Sequence, residues 1–202
     1  MFYADGRVEN ATPRLLFAGR MIEGKGAVAA ARCVRTLVES GHPISATFIG
    51  DGPRAHLVDR ELAACSALSL KRQSHLDQPG LAQAMRGADL LLFPSLHESL
   101  GLTMIEAVFC GALPVVRDNG AMREILPTDI ADELIADSEV EFQRRVEALL
   151  SRDRVDRARL VQRLQAELVP RFDAAQIAEH LNHALLAAAR GQSGDSARRA
   201  VL

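Results

Sequence analysis

The 202-residue sequence predicts an α/β fold: a doubly wound, Rossmann-like parallel sheet of about six strands, with helices on both faces and extra C-terminal helices. Three observations predict it. Short runs of Leu, Val and Ile alternate with longer segments of helical periodicity, and strands that are apolar on both sides belong to parallel sheets covered on both faces. Glycine-containing turns follow several of these runs, as strand-to-helix loops of right-handed crossovers require. Beyond about Asp137 only amphipathic or Ala-rich helices follow, with no strands between them.

Each element has its own signal. Arg14–Ala18 (RLLFA) reads as a buried strand, and a glycine-bearing turn from Gly19 to Gly26 leads into a helix over Ala27–Glu39, closed by Gly41. Residues 44–49 form a second strand ending in Gly50-Asp51-Gly52-Pro53, and Pro53 suits the first position of a helix running to about Cys65. A third strand is expected at 68–70, a short helix at 79–86, and a fourth strand at 89–93 (DLLLF), stopped by Pro94. A helix over Leu102–Phe109, a fifth strand at 113–116 and a turn or two of helix at 121–126 follow. Helices are expected over 139–150, 155–168 and 174–189. The chain therefore divides into an N-terminal stub (1–13), one Rossmann-like domain (14–190) and a Gly-, Ser- and Arg-containing tail (191–202) that reads as disordered.

Composition excludes several classes. Hydrophobic residues at 48% and charged residues at 25% suit a soluble globular protein. With aromatics at 4%, no Trp and one Tyr, the core must be aliphatic, and a base-stacking nucleic-acid surface lacks its platforms. A net charge of −2 gives no basic field to attract nucleic acid. Cys33, Cys65 and Cys110 form no CxxC pair, so free thiols are expected rather than a zinc site or a disulfide framework. The first 13 residues carry Asp5, Arg7 and Glu9 and lack a signal-peptide core. Cytoplasmic placement follows as the expectation.

Two segments carry chemistry. In the loop from Gly19 to Gly26, Arg20 and Lys25 are flanked by glycines, so backbone amides, a helix start and two cations could cradle phosphate. The loop matches neither a Walker A nor a GxGxxG pattern, and a solvated polar turn explains it equally well. In the second segment, from Phe93 to Ala107, Glu98 and Glu106 lie eight residues apart across a helix start at Gly101. A diphosphate could rest on the free amides there, with Glu98 accepting from sugar hydroxyls and Glu106 from a ribose diol. Helix capping accounts for Glu98 as well. It accounts poorly for Glu106, whose apolar surroundings (MIEAVFCG) would turn it to the core unless a ligand or partner satisfies it.

The run from His97 to Leu102, with Glu106-Ala107 and the Cys110–Val116 segment, resembles the E-x7-E signature of family-4 retaining glycosyltransferases of the GT-B fold. Ala18-Gly19-Arg20 with Lys25-Gly26 resembles their phosphate-binding loop, Gly50-Asp51-Gly52-Pro53 their GxGP turn, Ala88-Asp89 to Pro94-Ser95 their AD…PS strand, and Gly120 with Glu124-Ile125 their GG…E turn. The resemblance spans about residues 14–126 in the right order. It implies the donor-binding, C-terminal domain of such an enzyme, with Arg20, Lys25 and Glu98 as catalytic residues. Arg20 and Lys25 would neutralise the donor diphosphate, and Glu98 would hold the transferred sugar. Gly19, Gly50, Gly52, Ser99, Leu100, Gly101, Leu102 and Glu106 would bind the nucleotide sugar, Glu106 through its ribose. Implied too are a nucleoside-diphosphate sugar (UDP- or GDP-linked) as donor, no metal and no other cofactor. The acceptor, a glycan or lipid, would be bound by an N-terminal domain that this chain lacks, and only that part would bring the protein to the inner membrane face.

Departures from the family pattern are the altered turn Arg117-Asp118-Asn119-Gly120-Ala121 and the polar run 71–78, which carries Arg72, Gln73 and His75. Two other readings share the fold. One is half of a sugar-nucleotide epimerase, which would need a second proton-transfer residue near Glu98 that the sequence does not show. The other is a non-catalytic nucleotide-binding or interaction domain.

Overall fold

A computed structural model describes residues 11–65 and 70–173. The chain divides into two compact units, residues 1–165 and residues 166–202; the first holds the sheet. Six strands, β1 (Arg14–Ala18), β2 (Ser45–Ile49), β3 (Leu70–Gln73), β4 (Leu90–Phe93), β5 (Leu113–Arg117) and β6 (Ile135–Ala136), pair in parallel in the order β3-β2-β1-β4-β5-β6. The helices are α1 (Ala27–Glu39), α2 (Ala55–Ala63), α3 (Gln78–Arg86), α4 (Leu102–Phe109), α5 (Ala121–Ile125), α6 (Ala131–Leu134), α7 (Glu139–Ser151) and α8 (Arg154–Phe172). Helix α1 packs against α2 and α7, while α3 packs against α4, so both faces of the sheet are covered. This is the doubly wound fold the sequence predicts.

The central strands are buried along their length: β4 completely, β1 at every residue after Arg14. Aliphatic residues dominate this core, and Phe17 and Phe48 stack across β1 and β2 with ring centroids 5.7 Å apart. Helix α1 ends as its sequence foretells. Gly41 takes the left-handed conformation (φ +81), and its amide and that of His42 donate to the carbonyls of Val38 and Leu37, the paired bonds of a Schellman cap. Asp77 caps α3 through the Gly80 amide at 2.9 Å, and Ser138 caps α7 through that of Glu141 at 3.0 Å.

Several boundaries differ from the sequence expectation. The third strand lies at Leu70–Gln73, past the expected 68–70. It is an edge strand that needs little apolar content, which hid it among Lys71, Arg72 and Gln73. Helix α2 begins at Ala55 rather than Pro53, and the Arg54 amide at its N-cap donates to the carbonyl of Met21. Helix α8 runs past 168, through Pro170, to Phe172. Strand β6 and helix α6 are too short to leave a periodic signal. The expected helix over 174–189, the tail and most of the stub lie outside the described residues. Among the described residues no helix is long and apolar enough to cross a membrane. Cys33, Cys65 and Cys110 are free thiols, Cys65 the least buried of them.

Sheet order reverses beside β1, whose neighbours β2 and β4 continue in opposite directions. The carboxyl edge of the sheet beside this reversal, where the loops leaving β1 and β4 lie side by side, is the place where such sheets hold ligands.

Candidate functional site

Four strand-exit loops meet at this edge, and backbone bonds lace them together. The Gly19 amide donates to the Ile49 carbonyl at 2.9 Å, the Met21 amide to Asp51 at 2.8 Å, and the Arg54 amide to Met21 at 2.9 Å. A β-carbon on Gly50 would lie 1.9 Å from the Gly19 oxygen, and one on Gly52 would lie 2.8 Å from that of Met21. These glycines let the β1 and β2 loops interleave, a packing demand distinct from contact with a ligand.

The β4 loop is tied to the β1 loop in the same way. Ser95, only 1% exposed, donates from its hydroxyl to the Gly24 carbonyl at 3.1 Å, and the Leu96 amide donates to the same oxygen at 2.8 Å. Gly26 is left-handed (φ +69), and a β-carbon there would sit 2.3 Å from the Pro94 oxygen. From the β5 loop, Asn119 donates its side-chain amide to the Ser95 carbonyl at 3.1 Å. Sequence reasoning passed over Ser95 and Asn119 as individual residues. The available signal was a hydroxyl directly after the buried run LLLFP, which must find a partner indoors.

These ties bring two of the expected catalytic residues into contact. Lys25 Nζ forms an ion pair with Glu98 Oε1, in which the lysine side chain is 26% and the glutamate 12% exposed. Lys25 ends a short 3-10 turn, Glu23–Lys25, that precedes α1. The capping explanation for Glu98 gives way here, since no side chain caps α4 and the carboxylate turns to Lys25 instead. Arg20 stands exposed on the same loop with no hydrogen-bond or ion-pair partner among the described residues. An anion arriving at the crevice meets one free cation and one that is already neutralised.

Gly101 caps the start of α4 in the left-handed conformation (φ +67), where a β-carbon would be strained and would also meet Met122 Cε at 3.0 Å and the Phe93 ring at 3.6 Å. Ser99, Leu100 and Leu102 are exposed beside it. Glu106 is half-buried, not core-facing as its neighbours in sequence suggested. It lies three and four residues after Thr103 and Leu102, on the less buried face of the helix, while Met104, Ile105, Ala107, Val108 and Phe109 face inward. Burial raises its carboxyl above the usual carboxylate range, and among the described residues it has no hydrogen-bond or salt-bridge partner. One turn on, burial pushes the Cys110 thiol up to about 11, the nearby Arg86 working against the shift and Glu106 adding to it.

The unusual polar residues are partly accounted for. Arg72 bonds Asp59 at 2.6 Å and reaches towards Asp51, tying β3 to α2 and to the β2 turn. The altered turn at 117–121 is held by Asp118, whose carboxyl is kept below its ordinary range by the Gly120 amide first and Arg123 second. His97 is exposed, its imidazole over Gly24. Among the described residues no group of three or more His, Cys, Asp and Glu is arranged to hold a metal ion. Chemically, the site offers cations and a helix start that can offset developing negative charge, and carboxylates that can accept from hydroxyls.

The chain resembles known proteins in sequence and in fold. The chain is 31% identical over 109 residues to a 2-deoxystreptamine glucosyltransferase of Streptomyces kanamyceticus, covering 52% of this chain and 28% of that protein. It is 31% identical over 139 residues to a phosphatidyl-myo-inositol mannosyltransferase of Mycolicibacterium smegmatis, covering 66% of this chain and 36% of that one. The match thus spans only about a third or less of these relatives' lengths. In structure it resembles the catalytic domain of cholesterol-alpha-glucosyltransferase from Helicobacter pylori, with a TM-score of 0.67 at 14% identity, covering 80% of this chain and all of that one. It also resembles the C-terminal domain of a glycosyl transferase group 1 family protein from Francisella tularensis, with a TM-score of 0.66 at 19% identity over 82% of this chain and 94% of that one. Residues 12–152, well over half of the sequence, match the family model of glycosyl transferases group 1, and the chain belongs to that family, with the fold of a GT-B C-terminal domain.

Proposed function

We propose that this chain is the donor-binding half of a retaining glycosyltransferase, moving a sugar from a nucleoside-diphosphate sugar to an acceptor. The observation that carries the reading is the pairing of Lys25 with Glu98 at the strand-order reversal, beside an Arg20 that has no partner among the described residues and the open start of α4. Arg20 and Lys25 neutralise the diphosphate, which rests on the amides near Gly101 and Leu102, with Gly19, Ser99 and Leu100 alongside. Glu98 receives the hydroxyls of the transferred sugar. Glu106 accepts from the ribose diol, which supplies the polar partner that its carboxylate lacks among the described residues. Gly50 and Gly52 line the donor site from the β2 turn.

Catalysis on this reading is electrostatic and needs no metal: the two cations and the helix start stabilise the departing nucleoside diphosphate. A separate N-terminal domain binds the acceptor, a glycan or a lipid. The lipid is supported by a relative whose name includes phosphatidyl-myo-inositol, and a polyhydroxylated acceptor by one whose name includes 2-deoxystreptamine. The enzyme works in the cytoplasm, reaching the membrane surface through that other domain, and residues 14–190 alone turn over little donor.

Thermal unfolding with uridine, guanosine and adenosine diphosphates tests the reading. A matching nucleotide at about 100 times its Kd stabilises the protein by about 2.7 kcal/mol, a rise of roughly 5–10 °C for a domain of this size. Arg20→Ala removes most of that rise. Absence of stabilisation by all three nucleotides would overturn the reading.

A further inference from the structure

The network behind the charged pair has its own consequence. Ser95 is buried, and its hydroxyl and carbonyl are both engaged: the hydroxyl donates to the Gly24 carbonyl at 3.1 Å, with the His97 carbonyl a longer second acceptor at 3.4 Å, and the carbonyl accepts from Asn119 at 3.1 Å. Asn119 in turn accepts from the Met122 amide at 3.4 Å, in the first turn of α5. A continuous path therefore runs from the start of α5 through the β4 loop to Gly24, the residue before Lys25. Glu98 follows Ser95 by three residues, so one clamp sits behind both members of the ion pair.

We propose that Ser95 is a positioning residue that holds Lys25 in place for the donor diphosphate, with Asn119 bracing it from the β5 loop. This rests on the donor-binding reading above. At 1% exposure Ser95 cannot touch a ligand itself, so its influence passes through the Gly24 peptide. Without the hydroxyl, Gly24 keeps only the Leu96 amide as a partner, and the 3-10 turn carrying Lys25 gains freedom that binding must then remove. The clamp holds the residue next to Lys25 and lies four positions from Arg20 along the loop, so its effect should be specific to Lys25.

A double-mutant cycle reads this specificity. Affinity for the nucleoside diphosphate that best stabilises the wild type is measured by calorimetry for the wild type, Ser95→Ala, Lys25→Ala and the double variant, together with each protein's melting temperature without ligand. Ser95→Ala should weaken binding about fivefold, the worth of one ordinary hydrogen bond, and should change affinity little once Lys25 is gone. Asn119→Ala should show a smaller loss with the same dependence on Lys25, and it decides the matter should Ser95→Ala not fold. A loss that persists undiminished in the Lys25→Ala background, or no loss at all, overturns the positioning role. If the wild type itself binds no nucleoside diphosphate, the donor-binding reading falls first, and the clamp proposal falls with it.

Discussion

Replacing Glu98 by Gln probes the ion pair most directly, because Gln keeps the shape of the side chain and removes its charge. In the unliganded protein Lys25 and Glu98 neutralise each other, with 26% and 12% of their side chains exposed. Exposed pairs are worth about 0.2–1 kcal/mol, and breaking a fully buried one costs about 3–5 kcal/mol. A pair of this intermediate burial is therefore worth on the order of 1–2 kcal/mol. A diphosphate that takes Lys25 must displace Glu98 from it, and the Glu98→Gln protein has no such competitor. The variant should bind a nucleoside diphosphate about five- to thirtyfold more tightly. Removing a negative charge beside the incoming anion acts in the same direction.

Calorimetric titration of wild type, Glu98→Gln, Lys25→Ala and the double variant at one pH and ionic strength measures this. The gain should shrink as salt is raised, and it should largely vanish in the Lys25→Ala background. Without ligand, Glu98→Gln should melt lower, since a partly buried ammonium loses its counter-charge. Unchanged or weaker nucleotide affinity in Glu98→Gln refutes the competition reasoning. So does a gain that survives the loss of Lys25.

Glu106 gives a pH signature. Its folded-state pKa is raised by burial, so the native state holds this proton more tightly than the unfolded chain. Ionisation then costs stability as pH climbs from the ordinary carboxylate range through the raised value. Glu106→Gln should accordingly raise the melting temperature at neutral pH and flatten that part of the pH–stability curve, while weakening nucleotide binding; a lower melting temperature across the whole range would contradict it. Gly50→Ala drives a β-carbon to within 1.9 Å of the Gly19 oxygen at φ +140 and should destabilise by about 2–4 kcal/mol in denaturant unfolding. Arg157, almost fully buried, donates to the carbonyls of Leu149, Leu150 and Arg152 where α7 ends. Arg157→Met strands those acceptors and should cost about 2–3 kcal/mol by the same measurement.

What the sequence disclosed follows how local each signal is. Aliphatic runs, the Gly41 cap and the glycine-bearing loops are written within a few residues of where they act, and the doubly wound sheet with five of its strands was legible from them. Strand β3 was misplaced because an edge strand pairs on one side only and tolerates Lys71 and Gln73 facing water. Glu106 was judged by its sequence neighbours, but the helical period turns it away from them, onto the face of Leu102 and Thr103. Residues 25 and 98 are separated by 73 positions, and the motif reading gave them separate tasks, one on phosphate and one on sugar. Their mutual pairing depends on the reversal of strand order between β1 and β4, a property of the whole sheet that neither motif contains. The same holds for the glycines of the β2 turn: read as ligand contacts, they also sit where any β-carbon would come within 3 Å of the neighbouring loop's backbone. A loss of binding in a Gly50 or Gly52 variant is therefore evidence about the donor only when the unliganded stability is unchanged. Arg20, exposed and with no hydrogen-bond or ion-pair partner among the described residues, is the residue on which binding can be read without that correction.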